Sequence, residues 1–174
     1  MENKTRCAWC EKDDLYRNYH DNEWGKPVYD DETIFEFLIL ETFQAGLSWY
    51  TVLAKRENFR KAFDNFDLMK IANYSEDKMD ALAEDAGIIR NKLKIKATVT
   101  NAQAFIKVQE EFGTFSKYIW GFVDGKPIDN QPKVLQDIPA TSAISDALSK
   151  DLKKRGFKFV GSTVVYAHMQ ATGM

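Results

Sequence analysis

From Asp30 onward, apolar side chains recur at helical rather than alternating spacing. Ile34, Leu38 and Ala45 fall on one face together with Glu41, and Val52, Phe59 and Phe63 extend the pattern. The chain is therefore predicted to be all-α. Asp67, Ser75 and either Thr141 or Ser142 carry the side-chain oxygen of an N-cap ahead of stretches 68–73, 76–85 and 143–155, and Gly87, Gly113 and Gly156 punctuate these stretches. Residues 89–112 form one longer helical pattern. The stretch from Gly121 to Pro139 holds three of the four prolines and reads as the main loop. Val160 to Tyr166 is rich in β-branched residues but runs on into Ala167, His168 and Met169, so a helix entered through a tight turn is expected there. The first thirty residues are too dense in Asp, Tyr, Trp and Gly to show one period. They are predicted to form an irregular cap on the helical body, and residues 1–174 a single domain.

Composition narrows the picture. With 174 residues, 44% of them hydrophobic, the chain is long enough to bury a core of its own. Its formal net charge of −2 means that any affinity for a polyanion must come from local patches rather than from the whole molecule. No apolar run reaches the ~20 residues of a membrane span, and Met1 to Thr5 is polar rather than leader-like, so a cytoplasmic protein is expected. Cys7 and Cys10 have a spacing that suits metal chelation better than a structural disulfide. Two thiols do not close a tetrahedral zinc site, and the only histidines are His20 and His168, so both a metal site and two plain thiols stay open on spacing alone.

Several residues carry candidate chemistry. Glu41 lies inside the run from Ile34 to Leu40 and its neighbours, where a carboxylate is buried and must either pair with an internal arginine, cap a helix, or wait for a ligand. Just beyond, Gly46 breaks the helix and presents Leu47 on a turn, with Trp49 two places on. Tyr16, Tyr19, His20, Asp21, Asn22, Glu23, Trp24 and Gly25 form a polar and aromatic cluster. Flat rings with one placed acceptor are the minimum kit for a flipped base, although the same residues also suit packing of an N-terminal arm. Positive charge gathers at Arg90 to Lys96 and at Lys150 to Lys158. The first run reads as a solvated helix face. The second leads into the glycine-bounded turn Gly156 to Gly161, followed by Ser162 at a helix start, an arrangement that aims backbone N–H groups at a phosphate while Lys158 supplies charge.

Taken together, Tyr19-His-Asp-Asn-Glu-Trp-Gly25, Leu40-Glu-Thr-Phe-Gln-Ala-Gly-Leu-Ser-Trp49, Lys55 to Phe59, Asp85 to Arg90 and Leu148 to Gly161 resemble the bacterial 3-methyladenine DNA glycosylase I family, in order along the chain. The resemblance implies a helix-hairpin-helix glycosylase fold, two helical lobes with the active site between them, and the Gly156 to Gly161 turn as the hairpin that grips DNA. It further implies that Glu41 hydrogen-bonds the excised base, that Trp49 and Tyr19 line its pocket with Tyr16 and Trp9 as weaker matches, and that Leu47 is the wedge left behind by the flipped nucleotide. It implies a zinc site whose first two ligands fall on Cys7 and His20. The family's other two come from a His and a Cys of a C-terminal tail, whereas this sequence ends at Met174, leaving Cys10 and His168 as the remaining donors of the right kind.

The implied activity is hydrolysis of the N-glycosidic bond of 3-methyladenine in alkylated double-stranded DNA by a monomer. The implied enzyme is monofunctional, because Ser162 and Thr163 stand where a Schiff-base lysine would be needed for strand cleavage. Two other classes fit the same residues: a non-catalytic helical module that senses damage, and a small zinc-dependent scaffold.

Overall fold

The computed structural model describes residues 5–174; Met1 to Lys4, part of the polar start read above, lie outside the described residues. Ten α-helices follow one another: α1 Asp14–Asn22, α2 Asp31–Gln44, α3 Trp49–Leu53, α4 Arg56–Ala62, α5 Leu68–Ala72, α6 Glu76–Glu84, α7 Lys92–Phe112, α8 Phe115–Trp120, α9 Ala143–Lys154 and α10 Ser162–Ala171. No strand occurs among the described residues. The expected all-α class is what forms.

The helix boundaries follow local chemistry. Asp67, Ser75 and Ser142 cap α5, α6 and α9 by accepting from the backbone N–H groups of Lys70, Lys78 and Ser145. Of the two cap candidates before α9, Ser142 is the one used, and Ser145 completes a reciprocal capping box with it. The pattern over 89–112 condenses into α7, capped by Asn91 and ended at Gly113.

The N-terminal cap is more regular than predicted. A short 3₁₀ turn at Ala8–Cys10 precedes α1, whose start is fixed by Asp13 accepting from the Tyr16 N–H. Its single large apolar face is made of Tyr16 and Tyr19, so aromatic rings take the place of the aliphatic stripe that periodicity arguments look for.

Helix α2 is the centre of the molecule. Ile34, Phe35 and every residue from Phe37 to Phe43 are buried, which makes it apolar on all sides rather than on the one face that sequence spacing suggested. It packs against α7, α10, α3 and α8. Its N-terminal end is tied down by Asp31, whose carboxylate accepts from the Phe115 and Ser116 N–H groups at 2.8 Å each and from Gln109 Nε2 at 2.7 Å. Its C-terminal end is tied down by Lys94 of α7. That buried ammonium donates to the Phe43 and Ala45 carbonyls at 2.8 and 2.6 Å, where the helix leaves its last carbonyls unpaired.

Helix α10 packs against α2, and its end meets the segment that leads into α2. The Gly25 and Val28 N–H groups, just ahead of α2, donate to the Ala171 and Thr172 carbonyls at the far end of α10. Gly173 follows with φ +73°, and a Cβ there would stand 2.5 Å from the Lys26 carbonyl carbon, so no larger residue fits this close approach. The loop over 121–139 carries two 3₁₀ turns, Gly121–Val123 and Leu135–Asp137, and no α-helix.

Candidate active site

The elements that meet around Glu41 are the 3₁₀ turn at Ala8–Cys10, α1, α2, α3 and the end of α10. Tyr19, Phe37, Leu53 and Ala171 form a small buried cluster, with Trp9, Tyr16, Trp24 and Trp49 packed against it. The rings touch at tilted or edge-on angles. Trp9 lies 4.8 Å from Tyr16 and 5.3 Å from Trp24, and Tyr19 lies 5.5 Å from Trp49, measured between centroids. The four aromatic residues picked out from sequence, Trp9, Tyr16, Tyr19 and Trp49, are thus brought together. Trp24 joins them, and Tyr50 extends the row at 5.3 Å from Tyr16. Tyr50 donates its hydroxyl to Asp13, the cap of α1, which ties α3 to α1 across the cluster.

Glu41 stands one helical turn beyond Phe37 on α2 and is 4% exposed. Its carboxyl has no hydrogen-bond partner among the described residues, so the capping and arginine-pairing alternatives are not realised. Burial pushes its pKa up to about 8. At neutral pH the group is mostly a neutral acid in the free protein. The nearby tyrosines register it: burial first, and then charges that include Glu41, raise both Tyr16 and Tyr19 above the usual phenol range. The indole N–H of Trp49 is likewise buried without an acceptor. An aromatic cluster beside an unpaired carboxyl, with an unpaired donor on Trp49, has polar groups in reserve for a ligand.

The arginine nearest in sequence is engaged elsewhere. Arg56 donates to Glu23 Oε2 at 2.5 Å and to Glu36 Oε1 at 2.6 Å, and Arg60 adds a second guanidinium on Glu36 at 2.8 Å. This network clamps the segment after α1 onto α2 and α4. Sequence reading had no signal for it beyond the charges of Glu23 and Arg56 inside their motifs.

Gly46 adopts φ +81°, a left-handed turn that glycine takes without strain, and the turn leaves Leu47 39% exposed. Gln44 grips the turn by donating through Nε2 to the Leu47 carbonyl at 2.7 Å, and Ser48 caps α3. Lys94 holds the same turn from below through the Ala45 carbonyl. The Gly156 to Gly161 hairpin is anchored by two buried side chains that sequence reading missed. Asn101 of α7 pairs with both backbone groups of Lys158, at 2.7 and 3.1 Å, and Ser149 of α9 donates to the Val160 carbonyl at 2.6 Å. The only signal was a polar residue on the inner side of a helical pattern. The Ser162 hydroxyl is occupied by Ser145 and Asp146, so at the start of α10 the backbone rather than this side chain is free to meet a phosphate.

The zinc ligands do not form a closed set. Among the described residues no group of three or more His, Cys, Asp or Glu is placed to hold a metal. His20 Nδ1 sits 2.9 Å from Asp21, itself held by a two-pronged Arg6, which leaves Nε2 as a free donor, and Cys7 is half-buried. The two other donors in the chain do not complete the set: Cys10 is fully buried with its thiol on the Cys7 carbonyl, and His168 is buried within α10. Burial lowers the His168 pKa to about 4, so its ring is neutral, and neither ring nitrogen has a partner. A cleft of about 450 Å³ between the 127–139 loop and α10 reaches Trp24 and Gly25 only, and none of Glu41, Tyr16, Tyr19 or Trp49 lines it.

The methyladenine glycosylase family model matches residues 9–174, nearly the whole chain. The chain belongs to the methyladenine glycosylase family. Among its relatives, DNA-3-methyladenine glycosylase 1 of Escherichia coli (strain K12) is 49% identical over 169 residues, 97% of this chain and 90% of that protein. Two solved structures of 3-methyladenine DNA glycosylase I superimpose with TM-scores of 0.93. One is 49% identical and covers 97% of this chain and 93% of its own. The other, from Staphylococcus aureus and described as showing the basis of 3-methyladenine recognition, is 40% identical and covers 96% and 89%. Membership in the methyladenine glycosylase family agrees with the motifs spread from Tyr19 to Gly161 and with the all-helical fold.

Proposed function

We propose that the protein is a monofunctional DNA-3-methyladenine glycosylase of base excision repair, and that the pocket around Glu41 receives the extruded base. The single observation that carries this reading is a buried carboxyl without a partner, close to Tyr16 and Tyr19 of the aromatic cluster that also holds Trp9 and Trp49, in a chain whose family relatives bear that activity.

The chemistry follows from charge. Adenine methylated at N3 is cationic within DNA, so its glycosidic bond is already weakened and the protein has only to extrude, hold and release it. The aromatic faces attract the cationic ring by ~0.5–2 kcal/mol each, more than they attract neutral adenine. A cation beside Glu41 favours the carboxylate over the acid, and the ionised group then accepts a hydrogen bond from the base and balances its charge. Leu47 fills the gap in the stack. Water attacks the oxocarbenium-like sugar, leaving an abasic site. Strand cleavage through a Schiff base is not expected, because the first turn of α10 holds Ser162 and Thr163 in place of a lysine.

We assign the polymer substrate as double-stranded DNA, the working form as a monomer and the location as the cytoplasm. No described helix is long and apolar enough to cross a membrane. Cys7 and His20 are proposed as the donors this chain offers to a structural zinc ion. Metal content of the purified protein tests this, and zinc absent at full activity removes the proposal. The test of the function is release of free 3-methyladenine from methylated duplex DNA. Tight DNA binding with no released base would point instead to a damage-sensing module.

A further inference from the structure

The basic run at Arg90 to Lys96 looked like an ordinary solvated helix face. In the structure, part of it forms one wall of a groove. Leu93, Lys96, Ala97 and Thr100 of α7 face Lys158 and Phe159 of the hairpin across an open, shallow depression of about 420 Å³. The four α7 residues follow the spacing of a single helix face. Two large apolar side chains stand in water here: Leu93 is 71% exposed, and Phe159 is 39% exposed on a backbone held at φ +56°.

Position gives the groove its meaning. At one end Lys94 holds the turn that carries Leu47, and at the other Asn101 holds the hairpin. These two anchors are two turns apart on α7, roughly 10 Å along its axis. Charge points the same way. The chain has 26 acidic residues and a net charge of −2, yet residues 86–109 and 152–174 contain no Asp or Glu. Among the described residues Lys96 and Lys158 make no ion pair, while Arg155, Arg56 and Arg60 are all neutralised.

We propose that this groove is a second DNA contact, in which the sugar–phosphate backbone of the duplex crosses α7 between the wedge turn and the hairpin. Lys96 and Lys158 meet phosphates, Thr100 offers its hydroxyl, and Leu93 and Phe159 lie against sugars. A duplex that accepts Leu47 and is gripped by the hairpin has to pass over this face. The contact carries no sequence information and serves to set the register of the damaged nucleotide over the pocket.

The inference rests on the glycosylase reading, and its test keeps the two apart. Binding of a duplex containing a stable abasic-site analogue is followed by fluorescence anisotropy at several salt concentrations, for the unaltered protein, Lys96→Glu and Lys117→Glu. Lys117 is an exposed lysine of α8 at the opposite end of α2 from the wedge turn. Lys96→Glu is expected to weaken binding on the order of ten-fold and to lower the slope of log affinity against log salt by about 1, on damaged and undamaged duplex alike. Affinity for free 3-methyladenine, read by tryptophan fluorescence, should not change. Leu93→Gln should weaken binding a few-fold with the slope intact. Equal effects of Lys96→Glu and Lys117→Glu, or no effect of either, overturn the groove. If Lys96→Glu also loses the free base, Lys96→Gln decides by the same readouts. Failure of the unaltered protein to release 3-methyladenine sinks the glycosylase reading, whereas release with unchanged Lys96→Glu binding sinks only the groove.

Discussion

Two carboxylates of α2, Glu36 and Glu41, lie little more than a turn apart and meet opposite fates. Glu36 accepts from both Arg56 and Arg60 and keeps 15% of its side chain exposed to solvent. Glu41 is buried among aromatic rings, has no partner and is held as a neutral acid. The first arrangement joins three segments of chain. The second stabilises nothing in the free protein, since burying a carboxyl without a hydrogen bond costs free energy. The contrast separates a structural carboxylate from one kept for a ligand, and it does so without reference to any relative.

The largest expected effect comes from the unpaired side. Glu41→Gln keeps the volume and the pocket but removes the negative charge that the cationic base calls up. Single-turnover release of 3-methyladenine from methylated DNA should fall by about a hundred-fold or more, with folding intact. An unchanged rate would mean that Glu41 is not the group that meets the base.

On the paired side the expected loss is in stability. Arg56→Met strands Glu36 and Glu23 and should lower the free energy of unfolding in urea by about 2–3 kcal/mol, less than a fully buried pair because Glu23 is partly in water. If Arg56→Met leaves stability untouched but abolishes release, the division drawn between the two carboxylates is wrong.

Smaller effects follow pH. Glu41 has a folded pKa of about 8, above its ordinary 4.5, so the folded state holds the extra proton and stability falls as pH rises between those values. His168 acts in the opposite sense. Its folded pKa of about 4 lies below 6.5, so its contribution is present above 6.5 and is lost as pH falls toward 4. The two nearly cancel between pH 4.5 and 6.5, and above that Glu41 acts alone. Unfolding free energy should therefore drop from pH 6.5 to 8 by up to about 1.4 kcal/mol per pH unit, and Glu41→Gln should flatten that drop. Over the same range kcat/KM, which reports the free enzyme, should rise as Glu41 ionises. Identical pH profiles for the two proteins would remove Glu41 as the titrating group.

Much of the fold is legible in the chain because helix caps and apolar spacing are local. Asp67, Ser75 and Ser142 act where they were expected to, and α7 follows its pattern. The start of the chain is less legible, since α1 builds its inner face from Tyr16 and Tyr19, rings that serve equally in a core and in a pocket. The anchors of the Gly46 turn and of the hairpin were hidden for a related reason. Lys94 and Asn101 are polar residues on a helix whose other buried positions are mostly apolar, and only the neighbours they reach, far away in sequence, show what their side chains hold.

The sequence by itself determined the helical class, the apolar surroundings of Glu41, the glycine that frees Leu47 and the long motifs of the family, because each depends on residues close together along the chain. Tertiary structure decided what those residues do. It left Glu41 without a partner while giving Arg56 two, filled the Ser162 hydroxyl from within, and laid Lys96 beside Lys158 in an acid-free groove. Pairing, burial and charge complementarity are properties of neighbours in space, and the chain places those neighbours only once α2, α7 and α10 have packed.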